Sequence, residues 1–322
     1  MLKSRIFVGA LLAMLFSVAL PAVAAYPDKP VKLIVAYVPG GSTDIIARIL
    51  SAHLSQKWGQ QVVVENKPGA SGMIGAEQVV RASADGYTLL LGYTPEVSIN
   101  KLVFKSMRYD PQLDLTPIAL AAEAPLVLVA GPKLPIKSFK ELLERKGNSP
   151  ATTYGSPGVG GQQHLAGEML ATATGLSLTH VPYKGTGAAV ADLVGGQIDL
   201  FFATTPPIIA HIRSGKLQPL AVAGAKREKL LPDTPTFSEL GYAAIQLTNW
   251  FGVFGPKGMS PDLVAKISQD VTAALKSPEV VKSLEDQGLT PRPIQGKEFA
   301  TFIQSEIDMY APIIKRTNVS ID

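Results

Sequence analysis

From Tyr26 onward, short apolar runs alternate with stretches in which apolar residues recur every three or four positions, the pattern of strands alternating with amphipathic helices. The stretch from Val31 to Arg48 sets the theme. Val31, Leu33, Ile34, Val35 and Val38 form the largely β-branched run expected of a strand covered on both faces, and Pro39, Gly40 and Gly41 stop it. Ile45, Ile46, Ile49, Leu50, Leu54 and Trp58 then recur along one helical face. Ser42 or Thr43 is placed to cap this helix, and Asp44 complements its dipole in the first turn. Two glycines let backbone approach a ligand closely, and the free N–H groups of a helix start make the turn a small anion site.

Variations on this unit follow. Strands are expected at 61–65 and 87–91, with a turn-rich loop at 66–72 and a helix from about 73 to 82 between them. After the loop ending at Pro95 comes a long connection rich in Pro and Asp, then a strand at 125–130 that crosses into a second domain. Ser138 and Glu141 have capping-box spacing, 151–154 reads as a strand, and the glycine-rich loop Gly155 to Gly161 precedes a helix that buries Leu165, Met169 and Leu170. Strands at 176–182, 198–202 and 217–223 are separated by helices at 188–194 and 206–214, and 246–254 reads as a strand crossing back. Ser260 and Ser277, each followed by Pro, open two further helices, and an amphipathic stretch at 297–318, bent at Pro312, closes the chain. The fold class is α/β with largely parallel sheets: lobe 1 over 25–124 and 248–322, lobe 2 over 125–247, and a cleft between them.

The amino terminus carries an address. Lys3 and Arg5, an apolar run over 6–20 and the small residues Ala22 and Ala24 make residues 1–24 a secretory signal peptide, cleaved after Ala24 or Ala25, with an uncleaved anchor as the alternative. The 30 basic residues fall to 28 without Lys3 and Arg5, against 26 acidic ones, so the exported chain has a net charge of +2 and is no binder of nucleic acid. With no cysteine there is neither a disulfide framework nor a thiolate nucleophile or thiolate metal cluster.

Several chemistries fail on spacing. Ser156 lacks the glycine two residues upstream that a nucleophile elbow requires, and Pro157 has no N–H to donate to an oxyanion. The dinucleotide fingerprint lacks its third glycine after Gly158 and Gly160, and no Gly-Lys pair is followed by Ser or Thr. His53, His164, His180 and His211 have no metal-ligand spacing, so no metal and no cofactor is expected; only His164, near a glycine-rich loop, is a candidate for the site. What remains is a set of neutral donors at strand ends, Ser42, Thr43, Ser71, Thr94, Ser156 and Thr204, suited to a carboxylate held by hydrogen bonds and bridging water.

The ordered segments Pro39-Gly-Gly-Ser-Thr-Asp44, Val64-Glu-Asn-Lys-Pro-Gly69, Asp85-Gly-Tyr-Thr-Leu89, Tyr154-Gly-Ser156, His180-Val-Pro-Tyr-Lys-Gly185, Gly196-Gln-Ile-Asp199 and Pro232-Asp-Thr-Pro-Thr236 resemble the solute receptors of the tripartite tricarboxylate transporters, the Bug or TctC-like proteins. The resemblance implies a two-lobed periplasmic binding protein fold, type II-like, with two crossing strands at the hinge. It also implies a non-enzymatic periplasmic receptor that closes on a small carboxylic acid and presents it to membrane transporter subunits. A sensor for a membrane signalling kinase and an exported enzyme are the alternatives. Nothing in the chain demands more than a monomer. The implied ligand contacts are Tyr37, Pro39, Gly40, Gly41, Ser42 and Thr43, with Asp44 mainly ordering the loop, and Ala70, Ser71 and Gly72, joined by Thr94. From lobe 2 they are Ser156, Gly158, Val159, Gly160, His164, Ala203 and Thr204. Met73, Gly187 and Ala203 depart from the family's pattern toward lower polarity, which favours a ligand with a flat or apolar body.

Overall fold

The computed structural model describes residues 26–147 and 151–317; the signal peptide expected at 1–24 and the last position of the expected C-terminal helix lie outside them. The chain runs β1 (Val31–Val35), α1 (Ser42–Trp58), β2 (Val62–Asn66), α2 (Met73–Val80), β3 (Thr88–Tyr93), a π-helical turn (Pro95–Ile99), α3 (Asn100–Val103), α4 (Pro111–Asp114) and β4 (Leu115–Pro125). It continues with β5 (Val127–Ala130), α5 (Phe139–Leu143), β6 (Thr152–Ser156), α6 (Gln162–Thr174), β7 (Leu178–Pro182), α7 (Thr186–Val194), β8 (Leu200–Ala203), α8 (Ile209–Arg213) and β9 (Gln218–Val222). Then come β10 (Thr248–Pro256), α9 (Pro261–Ala274), α10 (Pro278–Glu285), β11 (Thr290–Gln295) and α11 (Gly296–Thr317).

Two sheets result, six strands in the order β11-β4-β10-β3-β1-β2 and five in the order β7-β6-β8-β5-β9. The central strand of the first unit is buried on both faces apart from Lys32, as its apolar run requires. The expectation of largely parallel sheets is corrected. β1 pairs with β2 and β3, and β6 with β7 and β8, in parallel, but β4, β10 and β11 and likewise β5, β8 and β9 meet antiparallel. The reason is the crossing: a strand that leaves a sheet at the hinge and one that re-enters there run in opposite directions.

The crossing is pinned by backbone. Leu126 separates β4 from β5 and donates its N–H to the Leu247 carbonyl at 3.1 Å, Leu247 donates to Ala223 at 2.7 Å, and Ala223 donates back to Leu126 at 2.7 Å. Three segments therefore share one hydrogen-bonded knot between the sheets.

The long connection expected after Pro95 is instead a π-helical turn, two short helices and most of β4. Pro117 and the alanines at 119, 121, 122 and 124 give β4 little strand propensity, and register shifts against β10 near Pro117 accommodate the missing N–H. β11, with Pro291 and Pro293, was equally hidden and lies at a sheet edge, where proline is tolerated. Ser138 and Ser260 cap α5 and α9 as expected, whereas Ser277 donates to the Ala274 carbonyl and caps nothing. Pro312 lies inside α11.

Gly167 shows how tightly the second lobe is packed. A Cβ there would sit 2.0 Å from the Tyr154 ring. Alanine's helix propensity favours the change by about 1 kcal/mol, but overpacking costs about 1–3 kcal/mol and the partner is a fully buried aromatic ring. Gly167→Ala is therefore expected to destabilise, seen as a lower urea midpoint at unchanged m; a higher midpoint would mean that the Tyr154 ring is free to move.

Candidate functional site

Four helices begin on glycine around one space. α1 starts after Gly41, α2 after Gly72, α6 after Gly161 and α7 after Gly185, and no side chain caps any of them. By contrast α4, α5 and α9 carry side-chain caps from Asp110, Ser138 and Ser260. The expectation that Ser42 or Thr43 caps α1 is thus corrected. Ser42 is the first helical residue, and its Oγ lies 2.5 Å from Thr204 Oγ1 of the second lobe. The first N–H groups of α1, α6 and α7 remain available to an anion, whereas at α2 the Met73 and Ile74 N–H groups already bond the Ala70 and Gly69 carbonyls.

Three connected cavities run along the junction of the lobes. The innermost, about 10 Å³, is lined by Gly41, Ser42, Thr43, Asp44, Thr186, Thr204 and Asn249 among others and has room for one water molecule. Through Tyr37, Tyr93 and Gln163 it adjoins a middle space of similar size, which shares Tyr37, Ser71, Pro157 and Gly158 with an outer cavity of about 370 Å³. Asn249, 1 % exposed, gives its Nδ2 to Tyr93 Oη at 2.9 Å, while its Oδ1 has no hydrogen-bond partner among the described residues. An unmatched buried acceptor beside the innermost cavity suits a bridging water. Across the junction, Gln163 Nε2 donates to Tyr93 Oη at 2.7 Å and Ser71 Oγ to the Val159 carbonyl at 2.9 Å. The lobes are closed on each other.

Acidic groups near the cavities are already engaged. Asp44 accepts from Arg48 Nε at 2.9 Å and Nη2 at 3.0 Å, from Asn66 Nδ2 at 3.0 Å and from Gly40 N–H at 3.2 Å. Burial alone would raise its pKa, but these hydrogen bonds outweigh it and hold the carboxyl below its usual range. Its role is to order the loop. Glu96 is fully buried, accepts from Tyr37 Oη at 2.8 Å and from Tyr93 N–H at 2.7 Å, and burial pushes its pKa up to about 8. Asn100 Nδ2 bonds the Ser71 carbonyl at 2.8 Å, beside Tyr37 Oη at 3.3 Å, which secures Ala70 and Ser71 in the left-handed region, φ +47° and +51°.

Ser156 supports the site and does not face it. It is fully buried; its Oγ lies 2.7 Å from the Gly158 carbonyl and 2.6 Å from His180 Nε2. The His180 ring stacks on His164 with centroids 3.9 Å apart, and His164 Nδ1 accepts from Gly160 N–H at 3.0 Å. Thr94 is likewise turned away, bonded through Oγ1 to the backbone of Trp250. Of the expected contacts, Tyr37, Gly41, Ser42, Thr43, Asp44, Ala70, Ser71, Gly72, Gly158, Val159 and Thr204 line the cavities. Pro39 and Gly40 lie at the exposed rim, and Ser156, Gly160, His164, Thr94 and Ala203 line none of the three. The sequence reading passed over Tyr93, Gln163, Thr186, Asn249, Phe104 and the Pro182 to Lys184 wall. Only the last carried a local signal, lying within a motif quoted for the family resemblance.

Two α/β lobes, tied by crossing strands and closing on helix starts from both sides, define a solute-binding protein. The chain belongs to the tripartite tricarboxylate transporter family receptors, whose family description, TctC, matches residues 46–319. It is 36 % identical over 298 residues to protein BugT of Bordetella pertussis, across 92 % of this chain and 91 % of BugT. A solved structure described as a periplasmic transporter superposes with a TM-score of 0.89 at 42 % identity, covering 92 % of this chain and 100 % of the other. Rpa4515 of R. palustris, solved with adipate, has the same TM-score at 32 % identity, over 92 % and 99 % of the two chains. The fold and receptor class expected from the sequence hold.

The histidine stack has a pH signature. Burial lowers the His164 pKa, partly offset by Glu168, and burial together with His164 pulls His180 down to about 3. Below about pH 6.5 the unfolded chain takes up protons that the folded pair refuses, so stability present above that pH is lost as pH falls toward 3. The slope is at most about 1.4 kcal/mol per pH unit for each proton, less where the rings meet solvent. Glu96 acts oppositely: its raised pKa contributes stability at low pH that is lost as pH rises toward 8. The stack therefore shows only in a difference. The gap in unfolding free energy between wild type and His180→Phe is expected to narrow from pH 7 to pH 5; a gap independent of pH would mean that His180 titrates freely.

Proposed function

We propose that this chain is a periplasmic receptor that captures a small carboxylic acid between its lobes and presents it to the membrane subunits of a tripartite tricarboxylate transporter. The observation that carries this reading is the set of three glycine-started helices with open N–H groups around the cavities, α1, α6 and α7, with Asp44 ion-paired and Glu96 buried. Such a place favours negative charge and offers no competing free acid. The likeness to Rpa4515, solved with adipate, supports a carboxylate, and the apolar segment at 6–20 flanked by Lys3, Arg5 and Ala24 supports export.

In this reading lobe 1 comprises residues 26–124 and 248–317, lobe 2 comprises residues 125–247, and the Leu126 knot is the hinge. The innermost space of about 10 Å³ holds one water as it stands, so the ligand carboxylate displaces the Ser42–Thr204 contact and parts the lobes enough to meet the N–H groups of α1 and the hydroxyls of Ser42, Thr43, Thr186 and Thr204. Ser156 and the histidine stack hold the loop at 157–161 without touching ligand. Closure follows from the ligand's greater affinity for the closed form, and that form is what the transporter reads.

The test is titration calorimetry on the mature chain against a panel of mono-, di- and tricarboxylates, with the ligand recovered and identified afterwards. A binding acid should return unchanged, and Thr204→Val should weaken it by about 1 kcal/mol, close to fivefold, for one lost hydrogen bond in the cleft. Wild-type affinity in Thr204→Val would remove Thr204 from the site, and recovery of a reaction product would make the chain an enzyme.

A further inference from the structure

The two crossing strands are not the whole junction between the lobes. α11 begins in the first lobe, where Phe299 and Ile303 are buried with Trp250, and about two turns later its Tyr310 and Ile314 are buried in the core of the second with Leu165 and Phe202. The helix therefore crosses the junction a third time. Tyr310 is fully buried, and burial holds its phenol neutral. Its hydroxyl accepts from Nε2 of Gln162, the first residue of α6. The same Nε2 donates to the Thr248 carbonyl at 3.0 Å, at the start of β10.

A carbonyl can only accept, so the amide nitrogen of Gln162 must face Thr248, and its second N–H is free for Tyr310. Gln162 is fully buried and borders none of the three cavities, whereas Gln163, the next residue, borders two of them and bonds Tyr93. Successive residues at the start of α6 thus face opposite ways, one toward the ligand space and one toward β10 and α11. We infer that Tyr310 is a positioning residue for the ligand site: through Gln162 it fixes the start of α6 against the crossing strand, and so sets where that helix presents its open N–H groups. The inference rests on the receptor reading only in taking those N–H groups to meet ligand. Gly161, ahead of α6, has no side chain to hold the turn, and a capping side chain would occupy the N–H groups themselves. Holding the helix by the side chain of its first residue leaves them open. The link also spans the lobes. α11 rests on Trp250, whose ring centroid lies 6.0 Å from that of Phe299 and 5.5 Å from that of Phe302, so Tyr310 refers the position of α6 to the first lobe.

Amide-resolved hydrogen exchange on the ligand-free mature chain is the test. Leu165 donates to the Gly161 carbonyl at 3.1 Å at the start of α6, and Gly175 donates to the Ala171 carbonyl at 2.8 Å at its end. Tyr310→Phe keeps the ring and removes the acceptor, so Leu165 should exchange about three- to tenfold faster relative to Gly175, the range of one net hydrogen bond. Gln162→Met should do the same, and adding Tyr310→Phe to it should change nothing further. Ile314→Val, a cut in the same helix and core, should lower the melting temperature and leave the ratio at its wild-type value. A wild-type ratio in Tyr310→Phe, the same change in Ile314→Val, or a Tyr310→Phe effect undiminished in the Gln162→Met background overturns the inference. Calorimetry with the carboxylate panel reads the same link at the site. The acid that the wild type binds most tightly should lose about three- to tenfold in affinity in Tyr310→Phe and bind Ile314→Val as it binds the wild type; equal affinity for wild type and Tyr310→Phe overturns the role of Tyr310 in binding. If no acid of the panel binds the wild type, the receptor reading falls, and the exchange ratio still decides what fixes α6.

Discussion

The structure depends on a deliberate omission: where α1, α2, α6 and α7 begin, a residue able to cap the helix is replaced by glycine. An Asp, Asn or Ser at such a position is worth about 1 kcal/mol over alanine, and glycine forgoes only a few tenths of it while leaving the N–H groups of α1, α6 and α7 open. In α1 the available hydroxyl of Ser42 turns instead to Thr204 in the other lobe. Side-chain caps do appear on α4, α5 and α9, while α3, α8 and α10 lack them without starting on glycine, so what sets the site helices apart is the glycine itself. Positive helix ends from both lobes are thus brought face to face.

Holding those ends in place requires polar groups inside the lobes. Glu96 is the main one. Buried and pushed toward its neutral form, it bonds Tyr37 and the Tyr93 backbone, and Tyr37 is the side chain common to all three cavities. An ionised carboxylate in that position would oppose an anionic ligand; a neutral one fixes Tyr37 without doing so. Lobe 2 solves the same problem with neutral imidazoles, His180 bonded to Ser156 and His164 to the Gly160 N–H. In both lobes, titratable side chains kept uncharged by burial position the loops, and the ligand meets mainly hydroxyls and backbone.

The parts of the site written locally were legible in the sequence. The Gly40-Gly41 turn, the Gly155 to Gly161 loop and Thr204 stand at strand ends, and glycine and hydroxyl residues there announce themselves. Ser156 and Thr94 mark the limit of that signal: a hydroxyl near a strand end looks alike whether it lines a cavity or, as here, bonds His180 and the Trp250 backbone. Asn249 and Tyr93 were invisible, since their meeting joins residues 156 positions apart through the crossing strand. β4 was hidden too, because its alanines and Pro117 carry weak strand propensity and only its central place in the sheet, between β10 and β11, makes it a strand. Element alternation and lobe class survive such errors because the parallel units are built from strongly patterned segments.

The closeness of the lobes completes the argument. A Cβ on Gly185 would lie 2.7 Å from Val38 Cγ2, and one on Gly187 would lie 3.1 Å from the Pro39 carbonyl, so the small residues at the start of α7 are what let it approach the β1 to α1 turn. Approach brings like-signed helix ends together, which disfavours closure until an anion comes between them. Each helix end contributes about 0.3–1 kcal/mol toward an anion, so the three with open N–H groups supply about 1–3 kcal/mol. Moving an equilibrium from 1:99 to 99:1 needs about 5.5 kcal/mol. The helix ends alone therefore do not throw the hinge. The remaining few kcal/mol come from contacts made only in the closed form, at about 0.5–1.5 kcal/mol per hydrogen bond. Ser42, Thr186 and Thr204 are placed to make them, and because they stand on opposite lobes, only a closed cleft lets one ligand bond them together.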